Sequence, residues 1–204
     1  MKTLLHIDSS PRAVRSHSRQ LTARFVDAWR DANRGGRVIH REVGLTPLPL
    51  VSEDWIAAAF SNPADRTPAQ RAAIAVSDEL IDELLVADEV VIGAPMHNFS
   101  VTASLKAWID QVVRVGRTVD YPSYAGLVTG KKVTIIVTRG LSNLSPGEPM
   151  AHSDAQAPYL RLVLGFIGIT DVTIVYAGGL TGSDATRQSS LHRALTEIEA
   201  LATK

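Results

Sequence analysis

Apolar positions along this chain fall into two alternating periods. Short runs rich in Val, Ile and Leu occur at 3–8, 37–43, 89–93, 131–138 and 171–177. Runs of that length, bounded by Gly, Pro or Ser, predict strands. Between them the period changes. Leu21, Phe25, Ala28 and Trp29 recur at helical spacing until Gly35-Gly36. A short helix is expected over 52–60, capped by Ser52. Thr67-Pro68-Ala69-Gln70 then starts a longer one: Thr as N-cap, Pro at the first helical position, Gln three residues after the cap. Ala73, Ile74, Ser77, Leu80, Ile81, Leu84 and Leu85 form its stripe. Leu105, Trp108, Ile109, Val112 and Val113 mark a helix that Gly116 is expected to stop. Two more are expected over about 156–167 and 184–202, the last with Leu191, Leu195, Ile198 and Leu201 on one face.

Strands and helices therefore alternate five times. That order predicts an α/β fold, a five-stranded parallel sheet with helices on both faces. The run KKVTIIVT at 131–138 suits a strand covered on both sides. No repeat or linker divides the chain, so one domain over 1–204 is expected. The polar stretch from Leu141 to Gln156 is long for a loop, and such loops are often functional.

Charge narrows the partners. Lys plus Arg and Asp plus Glu are 21 each, without a basic run, so neither nucleic acid nor an anionic membrane is an expected partner. No segment approaches the roughly 20 apolar residues of a membrane span. The absence of cysteine excludes disulfides and thiolate chemistry. A cytoplasmic protein is the expectation.

Loops after the first, third and fourth strands share one edge of a parallel sheet. Ligands bind there in open α/β sheets. The first loop carries Ser10, Ser16, His17 and Ser18 ahead of a helix, whose free N–H groups and dipole suit a phosphate. The plainer alternative is that these serines turn the chain and cap the helix. The second, Pro95 to Phe99, offers Met96, His97, Asn98 and Phe99 to a planar ligand. Its alternative is an ordinary turn, with Ser100 or Thr102 capping and Phe99 in the core. The third is Thr138-Arg139-Gly140-Leu141, where Gly admits close backbone approach, or simply turns. The six histidines show no metal spacing, and no Gly-x-Ser-x-Gly elbow or Gly-x-Gly-x-x-Gly fingerprint occurs. Trp29, Trp55 and Trp108 are expected in the core or an interface.

The stretch APMHNFSVTASLKAWIDQVVRVGRTVDY, with the Ser-Ser and Ser-x-Ser of the first loop, GLVTGKK at 126–132 and LGFIGITDV at 164–172, resembles the FMN-dependent NADH-azoreductase / NADH:quinone oxidoreductase family. The resemblance covers essentially the whole chain. It implies a flavodoxin-like three-layer sandwich and a homodimer with one FMN per subunit. It also implies NADH or NADPH as donor and a quinone or azo compound as acceptor, in a ping-pong two-electron (hydride) cycle. By the same resemblance, Ser10, Ser16, His17 and Ser18 would hold the phosphate. Met96, His97, Asn98 and Phe99 would line the ring, and Thr138, Arg139, Gly140 and Leu141 would contact its pyrimidine side. The partner subunit is expected to roof the substrate pocket, and Tyr121 and Phe166, with Tyr124, in segments expected near the site, suit an aromatic lid. His97 stands where the family usually has Tyr, Leu141 where it has Gly, and the 142–156 loop departs from it. His97 is a candidate proton donor to product. The rival expectation is a flavodoxin-like electron carrier without substrate turnover.

Overall fold

The computed structural model describes residues 1–203. Strands β1 (Thr3–Asp8), β2 (Arg37–Glu42), β3 (Glu89–Pro95), β4 (Lys132–Thr138) and β5 (Asp171–Ala177) form one sheet in the order β2-β1-β3-β4-β5, every pair parallel. The connecting helices are α1 (His17–Ala32), α2 (Glu53–Ala59), α3 (Pro68–Val86), α4 (Ala103–Val112), α5 (Gln156–Phe166) and α6 (Asp184–Ala202).

Side chains alternate across the pleat, and each face meets its own helices. Leu4, Val91, Ile136 and Val175 pack with Leu21, Phe25 and Trp29 of α1 and with Ala194 and Ile198 of α6. Leu5, Ile7, Val90, Ile92, Val133, Ile135 and Val137 pack on the other side with α3, α4 and α5. Three layers result, as expected. The three tryptophans are buried, Trp55 with its indole N–H donated to Gln111 Oε1 at 2.7 Å. No described helix is long and apolar enough to cross a membrane.

Several boundaries differ from expectation for local reasons. The α1 helix starts at His17 because Ser16 accepts from the Arg19 N–H as its N-cap. Strand β3 continues past Gly93 to Pro95, since Gly93, Ala94 and Pro95 pair with Ile136, Val137 and Thr138. Gly116 does not stop α4. The helix ends at Val112, where the Thr118 hydroxyl reaches back to the Val112 carbonyl at 2.6 Å and accepts the Arg114 N–H at 2.9 Å. The expected capping box at Thr67 and Gln70 is present in both directions, 2.9 and 3.2 Å. The 142–156 loop contains one 3-10 turn, Ala151–Ser153.

The α1 helix lies close over β3 at Gly93, where a Cβ would lie 3.0 Å from Thr22 Cγ2 and 3.1 Å from Asp8 Oδ1, so a larger residue would push on both side chains.

Candidate functional site

The carboxyl ends of β1, β3 and β4 bring the three expected loops together, and the loop after β5 joins them. One cleft, about 200 Å³, is lined by Ser10, Ser16, His17, Met96, His97, Thr138, Arg139 and Gly140, together with Arg12, Arg15, Pro95, Leu180 and Thr181. A neighbouring cleft of about 230 Å³ is lined by Met96, Asn98, Phe99, Gly140, Leu141 and Leu144. Ser18 lies beneath the first cleft, its hydroxyl 3.1 Å from that of Ser16.

At the first end the donors suit an anion. The N–H groups of His17 and Ser18 open α1 and have no acceptor among the described residues. A helix start concentrates such groups and the positive end of the dipole. Buried hydroxyls of Ser10, Ser16 and Ser18 surround them, and His17 Nδ1 is buried without a partner. Arg12 and Arg15 add cations. Sequence reasoning passed over both, although two arginines just ahead of Ser-x-Ser were a readable signal.

A charged network shapes this loop from below. Arg19 donates to the Ser10 carbonyl at 2.7 Å and the Arg12 carbonyl at 2.8 Å, and forks onto the Glu42 carboxylate. Asp8 lies 3.4 Å from Arg19, 3.2 Å from His6 and 3.1 Å from His40, and accepts the Thr22 hydroxyl at 2.9 Å. Burial alone would raise the Asp8 carboxyl. Its contacts with His6, Thr22 and Arg19 outweigh burial and hold it below the usual range. Glu42 is likewise held low, burial opposing and the Arg19 fork and the N–H groups of Leu45 and Gly44 prevailing.

At the other end the backbone carries the chemistry. Asn98 and Phe99 have φ of 48° and 68°, left-handed values that ordinary residues adopt at a cost. His97 and Ser100 exchange both backbone hydrogen bonds at 3.0 Å around this turn. The N–H groups of Asn98, Phe99, Gly140 and Leu141 find no acceptor among the described residues. Phe99 is 45% exposed, so the alternative that placed it in the core does not hold. Thr102, not Ser100, caps α4 and ties it to the Ser9 carbonyl at 3.1 Å. Thr181 joins from the loop after β5, its N–H and hydroxyl both on the Gly140 carbonyl at 3.2 and 2.9 Å. The Gly-Gly-Leu-Thr-Gly run at 178–182 was its signal.

Arg139 departs from its expected role. Its N–H donates to Ala177 and its guanidinium turns inward, with Nη2 on Asp154 at 2.6 Å and Nη1 on the Leu144 carbonyl at 2.7 Å. The side chain braces the wall of the cleft from inside.

Tyr121, Tyr124 and Phe166 are not near this site within the chain. The α5 helix starts under the site, where Gln156 Nε2 bonds the Ala94 carbonyl at 3.0 Å, and runs away from it for 11 residues, about 16 Å. Phe166 therefore lies at the amino edge of the sheet. Tyr121 is there too, on the loop whose Gly126 packs against Gly168. Tyr121 lines a cavity of about 940 Å³, with Phe60, Asn62, Arg66, Arg114 and Arg117, remote from the three loops.

A doubly wound parallel sheet in the order 2-1-3-4-5, with an anion-suited helix start and free loop amides at one edge, defines a flavodoxin-like protein. The chain belongs to the family described as flavodoxin-like fold, whose model matches residues 2–202. It is 51% identical over 194 residues to the FMN-dependent NADH:quinone oxidoreductase 2 of Trichormus variabilis, covering 94% of this chain and 93% of that one. It is 43% identical over 212 residues to the FMN-dependent NAD(P)H:quinone oxidoreductase 1 of Pseudomonas aeruginosa, covering 99% of both. Among solved structures, the azoreductase of Bacillus anthracis superposes with a TM-score of 0.90 at 26% identity, covering 100% of this chain and 99% of that one.

Proposed function

We propose that this chain is an FMN-dependent NAD(P)H oxidoreductase that reduces quinones and aromatic azo compounds, with one site in a single domain over 1–204. The observation that carries the reading is the donor set. An FMN has a dianionic phosphate at one end and a flat ring edged with acceptors at the other. The described site has unused N–H groups and buried hydroxyls at one end (His17, Ser18, Ser10, Ser16). At the other it has four unused loop amides. The relatives' names carry the same cofactor and donor.

When bound, FMN supplies a two-electron acceptor for hydride from the nicotinamide and a two-electron donor to the quinone or azo group. The residues do the rest. Ser10, Ser16, Ser18 and the start of α1 bind phosphate, with Arg12 and Arg15 balancing its charge. Asn98, Phe99, Gly140 and Leu141 present fixed N–H dipoles, which cost no reorganisation when negative charge develops near them. Met96 and Phe99 exclude water from the ring side. His97 is exposed where it lines the first cleft, and from there it can pass a proton to the reduced product.

Each cleft is small beside the roughly 300–1,000 Å³ of ordinary ligand pockets, and both are open. A homodimer supplies the missing wall: the aromatic segment of Tyr121, Tyr124 and Phe166, idle in its own chain and 66, 57 and 43% exposed, closes over the site of a second copy. Cytoplasmic location follows from the need for a supply of reduced nicotinamide. The free N–H groups of Asn98, Phe99, Gly140 and Leu141 would be placed to favour two-electron turnover over single-electron carriage. Steady-state oxidation of NADH with benzoquinone, by protein stripped of flavin and then given FMN, tests the reading. Turnover that appears only with FMN is expected; none with FMN bound would leave an electron carrier.

A further inference from the structure

The loop between β4 and α5 is tied to both ring-side loops by Arg139, Asp154 and Ala155. Arg139 follows β4 directly and is 1% exposed. Its guanidinium spans the Leu144 carbonyl and Asp154 Oδ2, at 2.7 and 2.6 Å, and lies over the Tyr176 ring at 4.8 Å. The other oxygen of Asp154 accepts the N–H groups of Gln156 and Ala157 at 2.9 and 3.1 Å, so the same carboxylate caps α5. The intervening residue, Ala155, donates its N–H to the Phe99 carbonyl at 3.1 Å. That bond holds the left-handed Asn98–Phe99 turn from behind. Asp154 is thus a joint with three arms: to the 138–141 loop through Arg139, to α5 through its capping oxygen, and to the 96–99 loop through Ala155. It lines neither cleft of the site.

We propose that Arg139 and Asp154 are positioning residues for the flavin ring, fixing the spacing of the two loops whose free N–H groups serve it. The inference rests on the FMN reading above. A buried ion pair is a poor source of net stability, because desolvating both charges costs about as much as their attraction returns. Its value lies in geometry, since a guanidinium fork and a carboxylate with both oxygens engaged allow one arrangement. The joint also explains why the long 142–156 loop ends in a fixed position beside the site.

Asp154→Asn keeps the volume and the capping oxygen and removes the charge that holds Arg139. Ala155→Pro removes the N–H given to Phe99 and sets the ring Cδ against that carbonyl, so it pushes the 96–99 loop away. Arg41→Met is the control: it cuts an ion pair with Glu79 and Glu83 on the α3 side of β2, away from the site. The readouts are FMN affinity by fluorescence quenching, the visible absorption band of bound flavin, and melting temperature. Asp154→Asn and Ala155→Pro are expected to weaken FMN about tenfold and to shift the band toward that of free FMN. In the quinone assay kcat should fall more than KM moves, as for groups that act in the transition state. Arg41→Met should lower the melting temperature and leave affinity and band unchanged. Wild-type affinity and spectrum in both site variants would overturn the positioning role, as would the same spectral change in Arg41→Met. A wild-type protein that takes up no FMN would overturn the flavin reading itself, an outcome distinct from either.

Discussion

Ser16 has two tasks that one hydroxyl can perform together. It caps α1 by accepting from Arg19, and it stands 3.1 Å from the Ser18 hydroxyl at the edge of the anion cleft. Removing an N-cap costs about 1 kcal/mol of stability. Losing a hydrogen bond to a charged phosphate costs more than one to a neutral group, so Ser16→Ala should weaken FMN by roughly tenfold, measured by fluorescence titration. A Ser16→Ala protein that is less stable but binds FMN as wild type would reduce Ser16 to a cap. His97 sits at the same scale. His97→Tyr and His97→Ala should lower turnover and alter its pH profile; unchanged profiles in both would remove His97 from the chemistry. Arg139 shows where reading single residues runs out. Its place beside Gly140 suggested contact with cofactor, but its partner Asp154 lies 15 positions on. Nothing in the local pattern announces such a pairing, and it turned the side chain inward.

At the scale of elements, most of the architecture was legible because each strand is a compact β-branched run and each helix carries one stripe. Strand β5 and helix α6 fall where periodicity places them. Boundaries moved where tertiary contacts took over: β3 gains two residues by pairing with β4, and α4 loses its last turn to the Thr118 hydroxyl. Within one chain the aromatic segment lies away from the site for a related reason. Sequence proximity to the central loop suggested proximity in space, whereas α4 and α5 both lead away from the site. Thr102 is the element-scale hinge of the account. Its hydroxyl caps α4 at 3.1 Å and bonds the buried Ser9 carbonyl at 3.1 Å, joining the loop after β3 to the loop after β1. Thr102→Ala should cost about 0.5–2 kcal/mol in denaturant unfolding, the loss of an N-cap, with the Ser9 carbonyl left to the longer bond from the Ser104 hydroxyl at 3.4 Å. Thr67→Ala, which breaks the capping box of α3 far from the site, should cost about 1 kcal/mol and leave FMN binding unchanged.

Across the whole molecule, acid should act through the network under the phosphate loop. Asp8 and Glu42 are both held below their ordinary values of 3.8 and 4.5 in the folded protein. Their stabilisation is therefore complete above those ordinary values and is lost as pH falls through the lower folded ones. Stability should stay level through the neutral range and decline below about pH 4.5. Asp8→Asn and Glu42→Gln should each flatten that acid limb in unfolding curves collected across pH. Quaternary structure belongs to this scale as well. If the proposed homodimer forms, light scattering should report a dimer of the 22.0 kDa chain. A fully active monomer would contradict that arrangement.

The central claim is that one edge of this sheet holds FMN and uses it to move two electrons from a nicotinamide to a quinone. The visible spectrum of the purified protein under anaerobic conditions tests it most directly. A bound-flavin band that bleaches on addition of NADH and returns on addition of benzoquinone is expected. A protein that stays colourless after incubation with FMN, or a band that NADH leaves untouched, would contradict it.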